Sequence, residues 1–406
     1  MRIVHLGSPV GLPSEQPHSH QILKMCEAFA DSGLATCLLC PDSPESSERV
    51  PAERVFDLYG VRPCFEIRTL ACWDARRLLS GRFPRSRRRL RALTYSARVV
   101  LHVLRHWNDE CTVVYSRDRF ASYLLLLCGR RLRSRHLFES HAFLAERRRA
   151  IVVALLRRLD ALIVLTAHLA EKYAAAGVPE GRIVVAPNAV DLDRFRVAAS
   201  KAECRRRTGL PAERPIVAYV GNFRNTMGME KGVPELLRAQ RLLVERMPEK
   251  PPLLVLVGGP SELVPEYRRL AERLGVAPEQ CRFAGFVPRT EVPFWLRSSD
   301  VLVIPWTRNE FSAYETSPLK LREYMASGVP IVASDLPSLR EVLNPERNAL
   351  LAPAGDPAAL ADACRRLLAD PELGHGLAER ALADVQGQTW RNRAARVLAA
   401  RDATAR

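Results

Sequence analysis

At 406 residues the chain is too long for one hydrophobic core, since single cores stop growing near about 250–300 residues, and two domains are expected. Its 47% hydrophobic and 26% charged composition, with a mean hydropathy of -0.11, excludes a disordered or fibrous protein. A formal net charge of +16 and a pI near 9.8 call for an anionic partner: nucleic acid, a membrane surface or a phosphorylated small molecule.

No apolar run reaches the roughly 18–20 residues of a spanning helix, and MRIVHLGSPVG reads as a strand and loop rather than a signal peptide, so a cytoplasmic location is expected. The ten cysteines are scattered. Cys37 and Cys40 form the single CxxC, but they fall in an apolar strand-like run without a second pair or nearby histidines, which points to core packing. No metal site is expected.

The first half alternates apolar runs with helix-length segments: RIVHLG, a helix through QILKMCEAFADSG, ATCLLCPD, then TVVYS, HLFESH, ALIVLT and RIVVAPN. Such alternation predicts a parallel sheet wrapped by helices. Between the early and later strands, residues Ala75 to Asn108 carry ten arginines and no acid, among them Arg85, Arg87, Arg88 and Arg89. The polar stretch DLDRFRVAASKAECRRRTGLPAERP reads as a linker, with a boundary near 205. After Pro215 the alternation restarts with IVAYVG, LLVLVGG, RFAGF, VLVIP and IVAS. The expected architecture is α/β, with two Rossmann-like doubly wound domains over 1–205 and 206–385, followed by a terminal helix in 386–406. Such sheets bind ligands at the carboxyl ends of their strands, so two facing sheets would place a site in the cleft between them.

The most informative stretch runs from Glu315 to Leu343, ETSPLKLREYMASGVPIVASDLPSLREVL. It follows a strand, opens a helix at Ser-Pro, stops at Gly328 and delivers another strand. Pro318 suits a first helical turn. The N–H groups of Leu319 and Lys320, with the positive end of the helix dipole, then form an anion site that fits a diphosphate. Glu315 and Glu323 are separated by seven residues. Carboxylates beside a phosphate site are unfavourable unless they accept hydroxyls, which ribose and sugar supply; otherwise they are two solvated acids.

On these residues the chain resembles the retaining glycosyltransferase family 4, whose E-x7-E pattern this is and whose usual wording is close to SPLKLREYMASGVPIVASDLPS. The resemblance implies a GT-B fold and a nucleotide-diphosphate sugar donor, with no cofactor and no metal ion. It implies that Glu323 holds the ribose hydroxyls and Glu315 a hydroxyl of the donor sugar, while Ser317, Leu319 and Lys320 line the sugar and diphosphate. Lys231 matches the lysine that stabilises the departing nucleotide, a role needing a compact cation. Where the family usually has a basic residue directly after the strand glycine, Asn222 stands here, with Arg224 two positions on as the candidate substitute. The main chain at Gly285–Val287 would read the nucleobase, although Phe286 and Val287 equally suit strand packing.

In the first half, His141 matches the family histidine that reaches across the cleft to the donor sugar. Gly7 and the loop after it would face the diphosphate and acceptor, and Arg117 resembles an arginine common in relatives. The helix beginning near Trp390 would cross back to the first domain, or else stay a plain helix of the second. Retention in the family is taken to proceed on one face, with the leaving phosphate assisting acceptor deprotonation.

A dinucleotide-dependent oxidoreductase fails at the opening strand, because HLGSPVGLPS lacks G-x-G-x-x-G spacing. A sugar-nucleotide epimerase of similar architecture would need acid/base carboxylates in the first half, and none is identified. A non-catalytic sugar-binding protein remains an alternative. The arginine cluster lacks the interleaved aromatics of nucleic-acid binders. With Leu79, Phe83, Leu90, Leu93 and Tyr95 among its arginines, it reads instead as a peripheral anchor on an anionic membrane surface, which fits a glycan or lipid-linked acceptor; the alternative is a solvated basic helix.

Overall fold

The computed structural model describes residues 1–7, 11–13, 17–42, 51–72, 84–144, 149–225 and 228–403. The chain divides into two compact units, Met1–Asn188 with Trp390–Arg406, and Ala189–Thr389.

In the first unit seven strands form one parallel sheet: β1 (Arg2–Leu6), β2 (Ala35–Pro41), β3 (Glu66–Leu70), β4 (Thr112–Ser116), β5 (Arg135–Ser140), β6 (Ala161–Val164) and β7 (Ile183–Val185), in the order β3-β2-β1-β4-β5-β6-β7. Strands β4 and β6 are buried along their whole length, as strands covered on both faces must be. Cys37 and Leu39 of β2 pack under Tyr95, Val99 and Val103 of the helix Pro84–His106. Leu38, pointing the other way, packs under Ile22, Leu23 and Cys26 of the helix Pro17–Asp31. The same alternation sends Cys37 and Cys40 to opposite faces, so they cannot share a ligand. Both are buried, free thiols, pushed up to about 12 chiefly by burial.

The side chains of Arg85, Arg87, Arg88 and Arg89 lie outside the described residues, as do Leu79 and Phe83. Tyr95, expected among the interfacial side chains, is instead fully buried, and its hydroxyl donates to the Leu39 carbonyl at 2.8 Å. Its position one helical turn before Val99 puts it on the sheet-facing stripe.

The second unit has six parallel strands, β8 (Ile216–Val220), β9 (Leu253–Val257), β10 (Cys281–Gly285), β11 (Val301–Ile304), β12 (Ile331–Asp335) and β13 (Leu350–Pro353), in the order β10-β9-β8-β11-β12-β13. Ile216, Ala218 and Val220 enter one hydrophobic core and Val217 and Tyr219 the other, the period-two division of a sheet buried on both faces. Each sheet reverses its winding beside its first strand, between β1 and β4 and between β8 and β11. In doubly wound folds that switch point is where ligands bind.

The division falls at residue 188 rather than near 205. The presumed linker folds onto the second unit as the helix Lys201–Thr208, closed at its start by a Ser200–Glu203 capping box. Arg205, buried, bonds Asp300 at 2.6 Å and Arg207, exposed, bonds Glu291 at 2.7 Å, so two of its three arginines tie the helix to the second unit. The terminal helix Trp390–Ala403 packs against Pro17–Asp31 in the first unit.

Candidate functional site

The residues singled out in the second half gather at the carboxyl ends of its strands. Gly221 and Lys231 follow β8, Gly258 follows β9, Phe286 follows β10, and Glu315 and Lys320 follow β11. Lys320 is the second residue of the helix Leu319–Ala326, whose entry is fixed by Tyr324: its hydroxyl accepts from the Val220 N–H at 2.7 Å and donates to the Val220 carbonyl at 3.1 Å. Pro318 stands just before this helix with extended backbone rather than inside its first turn.

The Lys320 ammonium is buried over the Tyr219 ring, 3.6 Å from its centroid, and has no hydrogen-bond partner among the described residues. It occupies the space a side chain at position 221 would need, since a Cβ on Gly221 would lie 2.5 Å from Nζ. Lys231, half-buried, holds its ammonium 5.3 Å from the Trp306 ring centroid. It is followed by Gly232, where φ is 81° and a Cβ would meet the Pro305 carbonyl oxygen at 1.7 Å, so only glycine can open the next helix there. Burial lowers Lys231 to about 8. Burial, and then the charge of Lys231, push Lys320 well below the ordinary lysine range. Two cations repel one another here, Glu323 opposing that effect on Lys320 only through its charge, and neither is in an ion pair among the described residues, an arrangement that suits an anion.

Around them, Glu315 closes a five-residue π-helical turn, Phe311–Glu315, and is buried. Such turns often mark functional positions. Glu323 is buried and its Oε1 accepts from Arg289 Nη2 at 2.5 Å. Ser317 Oγ accepts from the buried Arg322 Nη1 at 2.9 Å, and Leu319 is half-buried. Phe286 and Val287 part ways: Val287 packs on the core, while Phe286 is 51% exposed. Arg224 is partly exposed and ion-paired. Its guanidinium bonds Glu230 at 2.6 Å and Glu266 at 3.2 Å. The switch-point cations are Lys231 and Lys320.

In the first unit Gly7 lies against β2, where a Cβ would meet the Leu39 carbonyl oxygen at 2.7 Å. Arg117 follows β4, and His141 follows β5. Both converge on a residue that the sequence reading missed, Glu139, which is fully buried inside β5. Glu139 Oε1 accepts from His141 Nε2 at 2.5 Å and from Gln21 Nε2 at 2.6 Å. Its Oε2 takes the Tyr115 hydroxyl and an ion pair at 3.0 Å with Arg393 from the terminal helix. Arg393 also donates to the Pro187 carbonyl at 2.9 Å and the Ala186 carbonyl at 3.1 Å. Arg117 donates through Nη2 to His141 Nδ1 at 3.0 Å and through Nη1 to Gln21. Because arginine only donates, His141 is the neutral tautomer protonated at Nε2, and both its nitrogens are engaged.

Burial opposes ionisation of Glu139, but Arg393 and His141 outweigh it and hold the carboxyl at about 2. Burial and Arg117 lower His141 to about 4. His18, not assigned from the sequence, is lowered to about 3 by burial and then by Arg117 and His141.

Residues 19–194 match the family described as Glycosyltransferase Family 4, and residues 214–370 that described as Glycosyl transferases group 1. The chain thus carries a Glycosyltransferase Family 4 domain followed by a group 1 glycosyl transferase domain. It is 30% identical over 260 residues to a D-inositol 3-phosphate glycosyltransferase of Corynebacterium urealyticum, covering 62% of this chain and 59% of that protein. It is 33% identical over 251 residues to one of Streptomyces scabiei, covering 59% and 53%. The chain spans little more than half the length of the curated relatives it matches. Its two Rossmann-like units share the GT-B fold of sucrose-phosphate synthase from Thermosynechococcus elongatus, with a TM-score of 0.74 and 20% identity over 97% of this chain and 96% of that one. They also match the fold of Anabaena HepE solved with UDP-glucose, with a TM-score of 0.72 and 16% identity over 98% and 99%.

Proposed function

We propose that this chain transfers a hexose or related sugar from a nucleotide-diphosphate sugar to a hydroxyl of a glycan or lipid-linked acceptor, with retention at the anomeric carbon and without a metal ion. The observation that carries the reading is the Lys320 ammonium, buried without a hydrogen-bond partner among the described residues beside Lys231 at the β8/β11 switch point. A diphosphate is an anion of the kind these two cations would bind. Lys320 sits in the first turn of a helix whose leading N–H groups add their own partial positive charge.

In this reading Lys231 and Lys320 bind the diphosphate and stabilise the charge that grows as the C1–phosphate bond breaks, the role a divalent cation fills elsewhere. Glu323, with Oε1 held by Arg289, turns Oε2 to the ribose hydroxyls. Glu315 accepts from a hydroxyl of the sugar. The acceptor oxygen bonds C1 on the face the phosphate leaves, and its proton passes to a phosphate oxygen, so no protein nucleophile is required. His141 enters as a neutral, oriented ring, and a hydroxyl reaching it displaces either Glu139 or Arg117. The epimerase alternative is disfavoured because the buried carboxylate of the first unit, held at about 2, is poorly placed to exchange protons near neutrality.

The test is titration calorimetry with nucleoside diphosphates on the full chain and on Lys320→Met, with anomeric assignment of product by NMR. Binding that Lys320→Met leaves intact, or an inverted product, would overturn the reading. Activity is expected to survive EDTA, and loss restored by Mg²⁺ or Mn²⁺ removes the metal-free mechanism.

A further inference from the structure

We infer that the outward face of three helices in the first unit, Pro84–His106, Arg119–Leu127 and Arg149–Leu156, is a docking surface for an anionic lipid bilayer. The three helices cover one side of the sheet in sequence. Tyr95 and Val99 of the first share a core with Ala121 and Leu125 of the second, and Leu126 of the second shares a core with Val153 and Leu156 of the third. Their buried stripes face the sheet, so the stripes opposite face solvent together.

Those outer stripes are apolar where a surface helix should be polar. Among the described residues nine large hydrophobic side chains are exposed, and six of them stand here: Leu93, Leu101, Phe120, Leu124, Leu127 and Ile151. Leu101, Leu127 and Ile151 are 67%, 65% and 61% exposed. Single exposed hydrophobics need no explanation, but a cluster on adjacent helices marks an interaction surface.

Charge selects the occupant. None of the three helices contains an aspartate or glutamate. Arg98, Arg105 and Arg119 are exposed among the leucines, and Arg131 follows the second helix. A second copy of this face would set arginine against arginine, and a nucleic acid offers phosphates but no apolar phase for six large side chains. A bilayer with anionic head groups offers both at once: arginines meet the head groups while leucines enter the acyl boundary. The surface therefore rests on the described side chains of these helices, from Leu93 to Leu127 and at Ile151. It needs no sugar donor, so its failure leaves the transferase reading untouched.

The experiment is co-sedimentation of the full chain with phosphatidylcholine vesicles and with vesicles of equal parts phosphatidylcholine and phosphatidylglycerol, at low and high salt. Binding to the anionic vesicles is expected, weakened by salt. The triple variant Leu101→Ser, Leu127→Ser, Ile151→Ser should lower partitioning on the order of 10²-fold. Arg98→Ser with Arg105→Ser and Arg119→Ser should weaken binding at low salt and flatten the salt dependence. Circular dichroism and thermal melting establish that each variant is folded. Should the triple variant fail to fold, Leu127→Trp replaces it, with extra quenching by brominated lipid as the expected result. No binding to anionic vesicles at low salt, unchanged binding by a folded triple variant, absence of the extra quenching, or a soluble dimer dissolved by the serine substitutions would each overturn the inference.

Discussion

Each unit carries a buried polar cluster near the middle of its sheet, yet the clusters are built on opposite principles. Around Glu139 the carboxylate and the groups that meet it satisfy one another: Arg393, Tyr115, Gln21 and His141 saturate its two oxygens, and Arg117 ties the far side of the histidine. Around Lys320 the chain has buried a cation and set a second cation nearby, and neither is in an ion pair among the described residues, Glu323 acting on Lys320 only through its charge. A buried network closed on itself holds structure in place. A buried charge left open costs stability until a ligand completes it. The same strand geometry thus yields a brace in one unit and a receptor for an anion in the other.

Acid should separate the two most strongly. Eight of the nine histidines lie in the first unit. His5, His18 and His136 are held at about 3 and His141 at about 4, with burial the leading cause in each. These values lie below the free value of 6.5, so the unfolded chain binds more protons as pH falls from 6.5 toward 3, and stability present above 6.5 is lost across that window. Glu139, held at about 2, acts in the same direction below its free value of 4.5. Calorimetric scans from pH 7 to 4 should show one transition moving sharply to lower temperature, and pepsin should cut first within residues 1–188. Equal acid sensitivity of both units would erase the distinction.

Substitution should give opposite signs in the two clusters. Glu139→Ala strands Arg393 in a buried site and should destabilise the fold by about 3–5 kcal/mol in urea titrations. Lys320→Met removes an uncompensated charge and should leave the ligand-free protein as stable as before or more so, while donor affinity falls. Lys231→Ala should lower kcat on the order of 10²-fold with a smaller change in donor KM, measured by steady-state kinetics. Because burial holds Lys231 at about 8, donor affinity should also decline as pH rises through that value. Arg224→Ala is the smallest change. With its guanidinium spent on Glu230 and Glu266, the substitution should alter kcat/KM by less than roughly threefold and stability by no more than about 1 kcal/mol.

What could be read from the chain beforehand was whatever is local. Glu315, Lys320 and Glu323 are spaced along one loop and helix, and the central strands are continuous apolar runs. Two strands escaped notice, β3 and β13, and both lie at sheet edges. EIRTL is only partly buried along its length and LLAP ends in an exposed proline, so neither shows the long apolar run of a central strand. The Glu139 cluster was missed because its members come from separate elements and Arg393 is far away in sequence. One hint was present: an acid inside the apolar strand HLFES must be paired when buried. Arg289 offered no such hint, lying in an ordinary polar turn.

The pairing of Arg393 with Glu139 also sets an order of events at the ribosome. The second unit, Ala189–Thr389, is one uninterrupted length of chain and can complete itself as soon as it emerges. The first unit, although made earlier, must wait for the helix Trp390–Ala403 before its central carboxylate meets a counter-charge. At about 5–20 residues per second that delay is roughly 10–40 s. The half of the protein synthesised first is therefore the half expected to finish folding last, and chaperones that shelter nascent chains should be found on residues 1–188 during that interval.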